Sequence, residues 1–153
     1  MKPSIHFIAS LSSGATLWFF TKSLYAGAVC FFSGIFLDID HAIDFMVLHG
    51  RRNFSWKKCY LACVQTAEQQ GEYQFKKLYL IFHSGEIALV LWFLVIYTKN
   101  LYLLAGSIGY SIHLMLDSAA NILHPYSYFI IWRAVNKFRT DRLQKIRFYK
   151  KGG

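Results

Sequence analysis

Leu37-Asp38-Ile39-Asp40-His41-Ala42-Ile43-Asp44 puts three carboxylates and an imidazole within seven residues, directly after an apolar run. Charges at the edge of a hydrocarbon phase are costly unless something compensates them. If the run continues as a helix through this stretch, Asp38 and His41 are i,i+3 neighbours and Asp40 and Asp44 are i,i+4 neighbours. Two adjacent faces then offer carboxylate oxygen and imidazole nitrogen, which are donors that divalent metals take. An Asp near a helix end is equally often a cap or a solvated charge. The reading therefore turns on what the other segments bring to the same place.

Working outward, the apolar run before this stretch covers residues 23–37, and three others cover residues 5–20, 83–97 and 101–116. A chain of 153 residues is one domain by size. Hydrophobic residues make up 55% and aromatics 18%, above ordinary globular usage, while charged residues are held to 16%. This composition predicts a membrane protein. The formal net charge of +9 flanks the apolar segments, as the positive-inside rule and an anionic cytoplasmic leaflet select, and no nucleic-acid partner is expected. Cys30, Cys59 and Cys63 form neither a zinc knuckle nor a redox pair by spacing. A signal peptide is the competing reading of the first segment, but His6 and the Ser-rich middle interrupt its apolar region.

Small residues recur on the first two segments, Ala9, Ser10, Ser12, Ser13, Gly14 and Ala15 on one and Ala26, Gly27, Ala28, Ser33 and Gly34 on the other. Such faces suit close helix packing in lipid. Between His49 and Lys77 the chain turns polar, and Trp56, Tyr60, Cys63 and Val64 fall at helical spacing, predicting a short amphipathic helix that ends near Gly71. The tail over residues 128–150 mixes aromatic and aliphatic residues with Arg133, Lys137, Arg139, Arg142, Lys145 and Arg147, and reads as a helix on the membrane surface.

Each apolar segment spans only about 25 Å as a helix, less than a typical hydrocarbon core. The helices must continue through polar residues, and His6, Asp38, His83 and Asp117 are those residues. Lys22 and Lys99 alone lie in the two short connections, while Lys2, the polar loop and the tail hold the other Lys and Arg. That asymmetry predicts four crossings with both termini cytoplasmic. An up-down bundle then brings His6, Asp38 to Asp44, His83 with Glu86, and His113 with Asp117 to one membrane face. His113 and Asp117 at i,i+4 could both bind a metal, or the Asp could orient the His. His83 and Glu86 repeat the i,i+3 spacing of carboxylate metal sites in helical bundles. His49 and His124 have no partner at helical spacing and are left outside the site.

Asp38-Ile39-Asp40-His41 after an apolar helix, His83-Ser84-Gly85 opening the next, and His113-x-x-x-Asp117 followed by Pro125 together resemble the YdjM-like family of inner-membrane metal-dependent hydrolases. That family in turn resembles the helical zinc-dependent phospholipase C enzymes. The resemblance extends over roughly residues 5–132. It implies metal-assisted phosphoester hydrolysis in a bacterial-type inner membrane, with a site of His6, Asp38, Asp40, His41, His83, His113 and Asp117. Where that family commonly has His-Arg-Gly-x-Thr-His, this chain has His83-Ser84-Gly85-Glu86-Ile87-Ala88, and Glu86 is expected to stand in for the missing ligand.

The expectation is an all-α fold: an integral membrane four-helix up-down bundle with an amphipathic cytoplasmic loop helix and a C-terminal interfacial helix. One or two divalent ions, with zinc, manganese and iron all suited to the donors, would activate water against a phosphoester of a lipid or lipid-linked substrate, with membrane lipids as partners. Asp40 or Glu86 is the expected general base. Arg51, Arg52 and Lys77 are expected to hold the phosphate. A metal or proton transporter, or a non-catalytic adaptor with a structural metal, are the alternatives. Transport would require polar residues along the whole depth of the bundle, and the halves far from the cluster offer mostly Ser, Thr and Tyr.

Overall fold

In the computed structural model, which describes residues 3–68, 71–121 and 123–144, the first two apolar segments form α1 (Pro3–Thr21) and α2 (Leu24–Phe36). The turn between them is fixed locally. Lys22 takes a left-handed conformation (φ 56°) and Ser23 caps α2 by accepting from Ala26 N at 3.2 Å. Small residues then let the two backbones approach. A Cβ added to Gly14 or to Gly27 would lie 2.7 Å from the other's carbonyl oxygen.

Two residues separate α2 from α3 (Ile39–His49). Across Leu37 and Asp38 the hydrogen bonds tighten from i→i−4 to i→i−3: Asp38 N donates to Ile35 O, Asp40 N to Leu37 O and His41 N to Asp38 O. A 3-10 turn at Arg51–Asn53 leads to α4 (Trp56–Glu68), the amphipathic helix of the polar loop. Next come α5 (Gly85–Thr98) and α6 (Leu101–Ala120). Ser84 caps α5, and Asn100 caps α6 by accepting from Tyr102 N and Leu103 N at 2.8 and 3.1 Å. α2 packs against both α1 and α6, α1 also touches α6 directly, and α5 packs on α6. At the α2–α6 contact, a side chain on Gly109 would strike the Cys30 carbonyl.

The tail departs from the single surface helix expected over residues 128–150. Its described part is a 3-10 turn (Pro125–Tyr128) and two short helices, α7 (Ile130–Val135) and α8 (Thr140–Leu143); Lys145 and Arg147 lie outside the described residues. Lys137 and Phe138 both take positive φ and turn the chain back, so that Leu78 N bonds Phe138 O and Thr140 N bonds Lys76 O. The tail thereby becomes a strap over the segment that enters α5. Its Leu123, Tyr128 and Leu143 join Phe45, Phe75, Leu78, Leu80 and Leu114 in the larger core.

The fold is all-helical, with no sheet among the described residues. One stretch, Leu24–His49, is long and apolar enough to cross a membrane by length and composition, and α5 is apolar but shorter. Polar residues such as His6, Ser10, His113 and Asp117 dilute α1 and α6. α5 has no buried residue, and Phe93 and Ile96 on it are 68% and 73% exposed.

Candidate metal centre

Five segments, three of them helices, deliver the titratable side chains to one end of the bundle. His6 comes from the second turn of α1, Asp38 from the break after α2, Asp40 and His41 from the first turn of α3, His83 from the residues entering α5, and His113 with Asp117 from α6. His6, Asp40, His83, His113 and Asp117 are all buried. Asp38 keeps 39% of its side chain exposed.

His83 and His113 face each other with their Nε2 atoms 3.2 Å apart. Asp40 Oδ2 lies 3.1 Å from His83 Nδ1, and the Gly34 carbonyl accepts from His113 Nδ1. A carboxylate and a carbonyl can only accept, so each Nδ1 carries the proton and, in the neutral rings, each Nε2 is a bare lone pair. Two lone pairs at that distance repel, and a shared proton or a cation resolves the conflict. Asp117 Oδ2 stands 3.5 Å from both nitrogens, and Asp38 Oδ1 stands 3.6 Å from His113 Nε2. Imidazoles oriented through Nδ1 with Nε2 turned toward carboxylates are what a divalent ion requires of its ligands.

The helix break explains the Gly34 contact. In an uninterrupted helix, Gly34 O would accept from Asp38 N. Asp38 N takes Ile35 O instead, which frees the carbonyl for the imidazole.

Donor atoms within 4.8 Å of one another form three overlapping sets: His6, Asp38 and His113; Asp38, His41 and His83; and His83, His113 and Asp117. His6 Nε2 lies 3.1 Å from Asp117 Oδ1, with its ring stacked on His113 at 4.1 Å between centroids. His41 Nδ1 and His6 Nδ1 are buried with no hydrogen-bond partner among the described residues. These buried His and Asp groups can hold a metal ion.

Other expected site residues are placed differently. Asp40 turns to His83, accepting from its backbone N at 2.9 Å as well as meeting its ring, and so stands behind a ligand. Glu86 is not brought to the cluster. Its carboxylate accepts from Ser84 Oγ, Ile130 N and Ile131 N, where it caps α7. One turn of helix carries Glu86 past the ring of His83, which precedes the helix. Arg51 and Arg52 are exposed beyond α3, and Lys77 is exposed where it bridges to Arg139. His49 packs on Phe45, and His124 accepts from Tyr126 N.

Several residues that hold the site stand outside the set of ligands expected from the sequence. Asp44 accepts from Tyr79 N and Leu80 N at 2.8 and 3.2 Å. From the other side, Arg133, 1% exposed, donates to the carbonyls of Tyr79, Leu80 and His83 at 2.6, 2.6 and 3.1 Å. Burial draws the guanidinium pKa below its ordinary value, against the pull of Asp40, Glu86 and Asp44. The hydroxyl of Tyr110 accepts from Ser84 N and lies within donating distance of Phe82 O and Ser84 O. Tyr110 had a legible signal, since it shares a face of α6 with His113 and Asp117. Arg133 had a weaker one, as a lone cation inside Ile130-Ile131-Trp132-Arg133-Ala134-Val135.

The cluster opens on a cavity of about 570 Å³. His6, Asp38, His41 and Asp117 line one side, and Trp56, Tyr60 and Val64 of α4 line another with Leu78, Leu80 and Leu123. Arg51, Arg52 and Lys77 are not among its lining residues. No family model, curated protein or solved structure matches the chain.

Proposed function

We propose that this chain is an integral membrane, metal-dependent hydrolase that cleaves a phosphoester of a lipid or lipid-linked substrate at the cytoplasmic face. The reading is carried by the paired Nε2 atoms of His83 and His113, flanked by Asp117 and Asp38 at the end of an apolar cavity. His83, His113 and Asp117 would hold the ion, and Asp38 forms further donor sets, one with His6 and His113 and one with His41 and His83. Mixed imidazole and carboxylate donors suit zinc, manganese or iron. Such an ion supplies Lewis acidity toward phosphoryl oxygens and acidifies water at neutral pH. Asp40 orients His83, and Asp38, half-exposed beside the cavity, is placed to take up a proton.

Membrane insertion is supported by the unburied apolar surface of α5, by Phe19 and Phe20 on α1 and Phe32 and Phe36 on α2, and by glycine-mediated packing. The weight of Lys and Arg in the polar loop and the tail supports cytoplasmic termini. The sequence resemblance to the YdjM-like hydrolases points to the same class.

Elemental analysis of the purified protein, with phosphate release from phosphatidic acid, a lipid pyrophosphate and a phosphodiester lipid, tests the reading. One to two equivalents of metal and phosphate release, both lost in His83→Ala and His113→Ala, are expected. Protein that binds no metal when supplied with zinc or manganese ends the proposal. Metal without hydrolysis of any of the three lipids removes the enzyme and leaves a metal-binding membrane protein.

A further inference from the structure

The cavity beside the cluster joins two chemistries in one space. Its polar side is made by His6, Asp38, His41 and Asp117, drawn from α1, α3 and α6 and the break before α3. Its remaining walls are mostly apolar, built by one face of α4, by Phe75, Leu78 and Leu80 and by the strap residue Leu123, with Thr66, Glu68, Asn121 and Gln144 among them. This space is separate from the lipid-facing surface of α1 and α5, and it lies under the amphipathic helix of the polar loop. At about 570 Å³ it is of the size that encloses a small ligand. Trp56 and Tyr60, 69% and 51% exposed, stand where α4 meets solvent or headgroups, a place that amphipathic aromatic rings favour.

An apolar chamber ending in ligands for a divalent cation has a complementary occupant: a hydrocarbon tail ending in an anionic phosphoryl group. We infer that the chamber under α4 takes the hydrocarbon chain of a single-chain lipid phosphoester, with its phosphate against the His and Asp cluster. This rests on the hydrolase reading for its headgroup and on the cavity alone for its chain. Recognition of the chain is sequential burial of methylenes, each worth about a fourfold gain in affinity, until the chamber is full. Val64, half-buried on its wall, sets that limit.

The test uses the full chain in lipid nanodiscs, since detergent would compete for the chamber. Binding of methyl-, butyl-, hexyl-, octyl- and decylphosphonate is measured by calorimetry, with protein-free nanodiscs subtracted, in metal-loaded and chelated protein. Affinity is expected to rise about fourfold per methylene and then level off, with Val64→Trp levelling off at a shorter chain. Tyr60→Ala, which opens the wall, should extend the rise, and unchanged methylphosphonate binding by both variants shows that they are folded. A rise that survives chelation supports the chamber even if the metal proves unnecessary and the hydrolase reading fails. Binding that needs metal but ignores chain length, or identical profiles in wild type and both variants, overturns the inference and leaves the hydrolase reading in place.

Discussion

Asp40 serves His83 twice, accepting from its backbone N–H and meeting its Nδ1, so one carboxylate fixes both the position of the residue and the direction of its lone pair. Outer carboxylates of this kind commonly govern metal affinity without touching the metal. Asp40→Ala is therefore expected to lower metal affinity by about 10- to 100-fold while the helices remain, measured by competition with a chelator of known affinity alongside circular dichroism. Unchanged affinity would mean that His83 is not a ligand, or needs no orientation. Arg133 is the complementary case, acting on carbonyls where Asp40 and Asp44 act on amides. Arg133→Met takes a donor from three carbonyls, of which Leu80 O still accepts from His83 N, at a cost of about 1–3 kcal/mol for each group left unsatisfied. A lowered thermal midpoint and weakened metal binding should appear together, with Arg133→Lys in between because an ammonium lacks the planar fork. A variant as stable as wild type would show that water replaces the guanidinium.

At the scale of elements, the break between α2 and α3 links backbone geometry to the site, because the hydrogen bond given up at Asp38 N is what leaves Gly34 O to orient His113. The sequence places Asp38 and His41 together at helical spacing, and they do share a donor set. It gives no sign of the break, since Leu37 and Asp38 are neither Gly nor Pro and only tertiary contacts choose the tighter turn. Asp40 and Asp44 share a face as their spacing requires, yet that face meets the segment from Tyr79 to His83, a partner 35 or more residues away that no local pattern reveals. The small-residue faces were more legible, because close approach leaves only Gly, Ala and Ser as options. Gly109 and Gly106 sit one turn apart on α6 and separate this effect from simple helix propensity. A Cβ on Gly109 collides with the Cys30 backbone, whereas one on Gly106 meets nothing nearer than Ser33 Oγ at 3.3 Å. Gly109→Ala should destabilise the bundle by about 1–3 kcal/mol and Gly106→Ala far less, read by thermal unfolding in the same detergent. Equal losses would mean that α2 and α6 are not held by this contact.

The whole molecule divides into an apolar bundle, in which α1, α2 and α6 pack together and α5 packs on α6, and a polar cap of α3, α4 and the strap, with the cluster where the two meet. Such a division is stable in water only if something covers the apolar bundle, since α5 has no buried residue and exposes Leu89, Val90, Phe93, Ile96 and Tyr97, and contiguous apolar surface of this kind marks an interaction site or a membrane. On the membrane reading proposed above, the basic residues of the polar loop and the strap would face an anionic leaflet. If lipid covers the bundle, Phe93→Cys and Ile96→Cys, introduced after replacing Cys30, Cys59 and Cys63 with Ser, should resist a water-soluble maleimide in intact membranes and react once the bilayer is dissolved. Tyr60→Cys on α4 should react in membranes opened to the cytoplasmic side and not in sealed right-side-out ones. Phe93→Cys and Ile96→Cys labelling as readily as Tyr60→Cys in opened membranes would place α5 in water. Protection that persists in detergent would assign the cover to a protein partner, and protection lost with the lipid would place the exposed face of α5 in the bilayer, as the membrane reading requires.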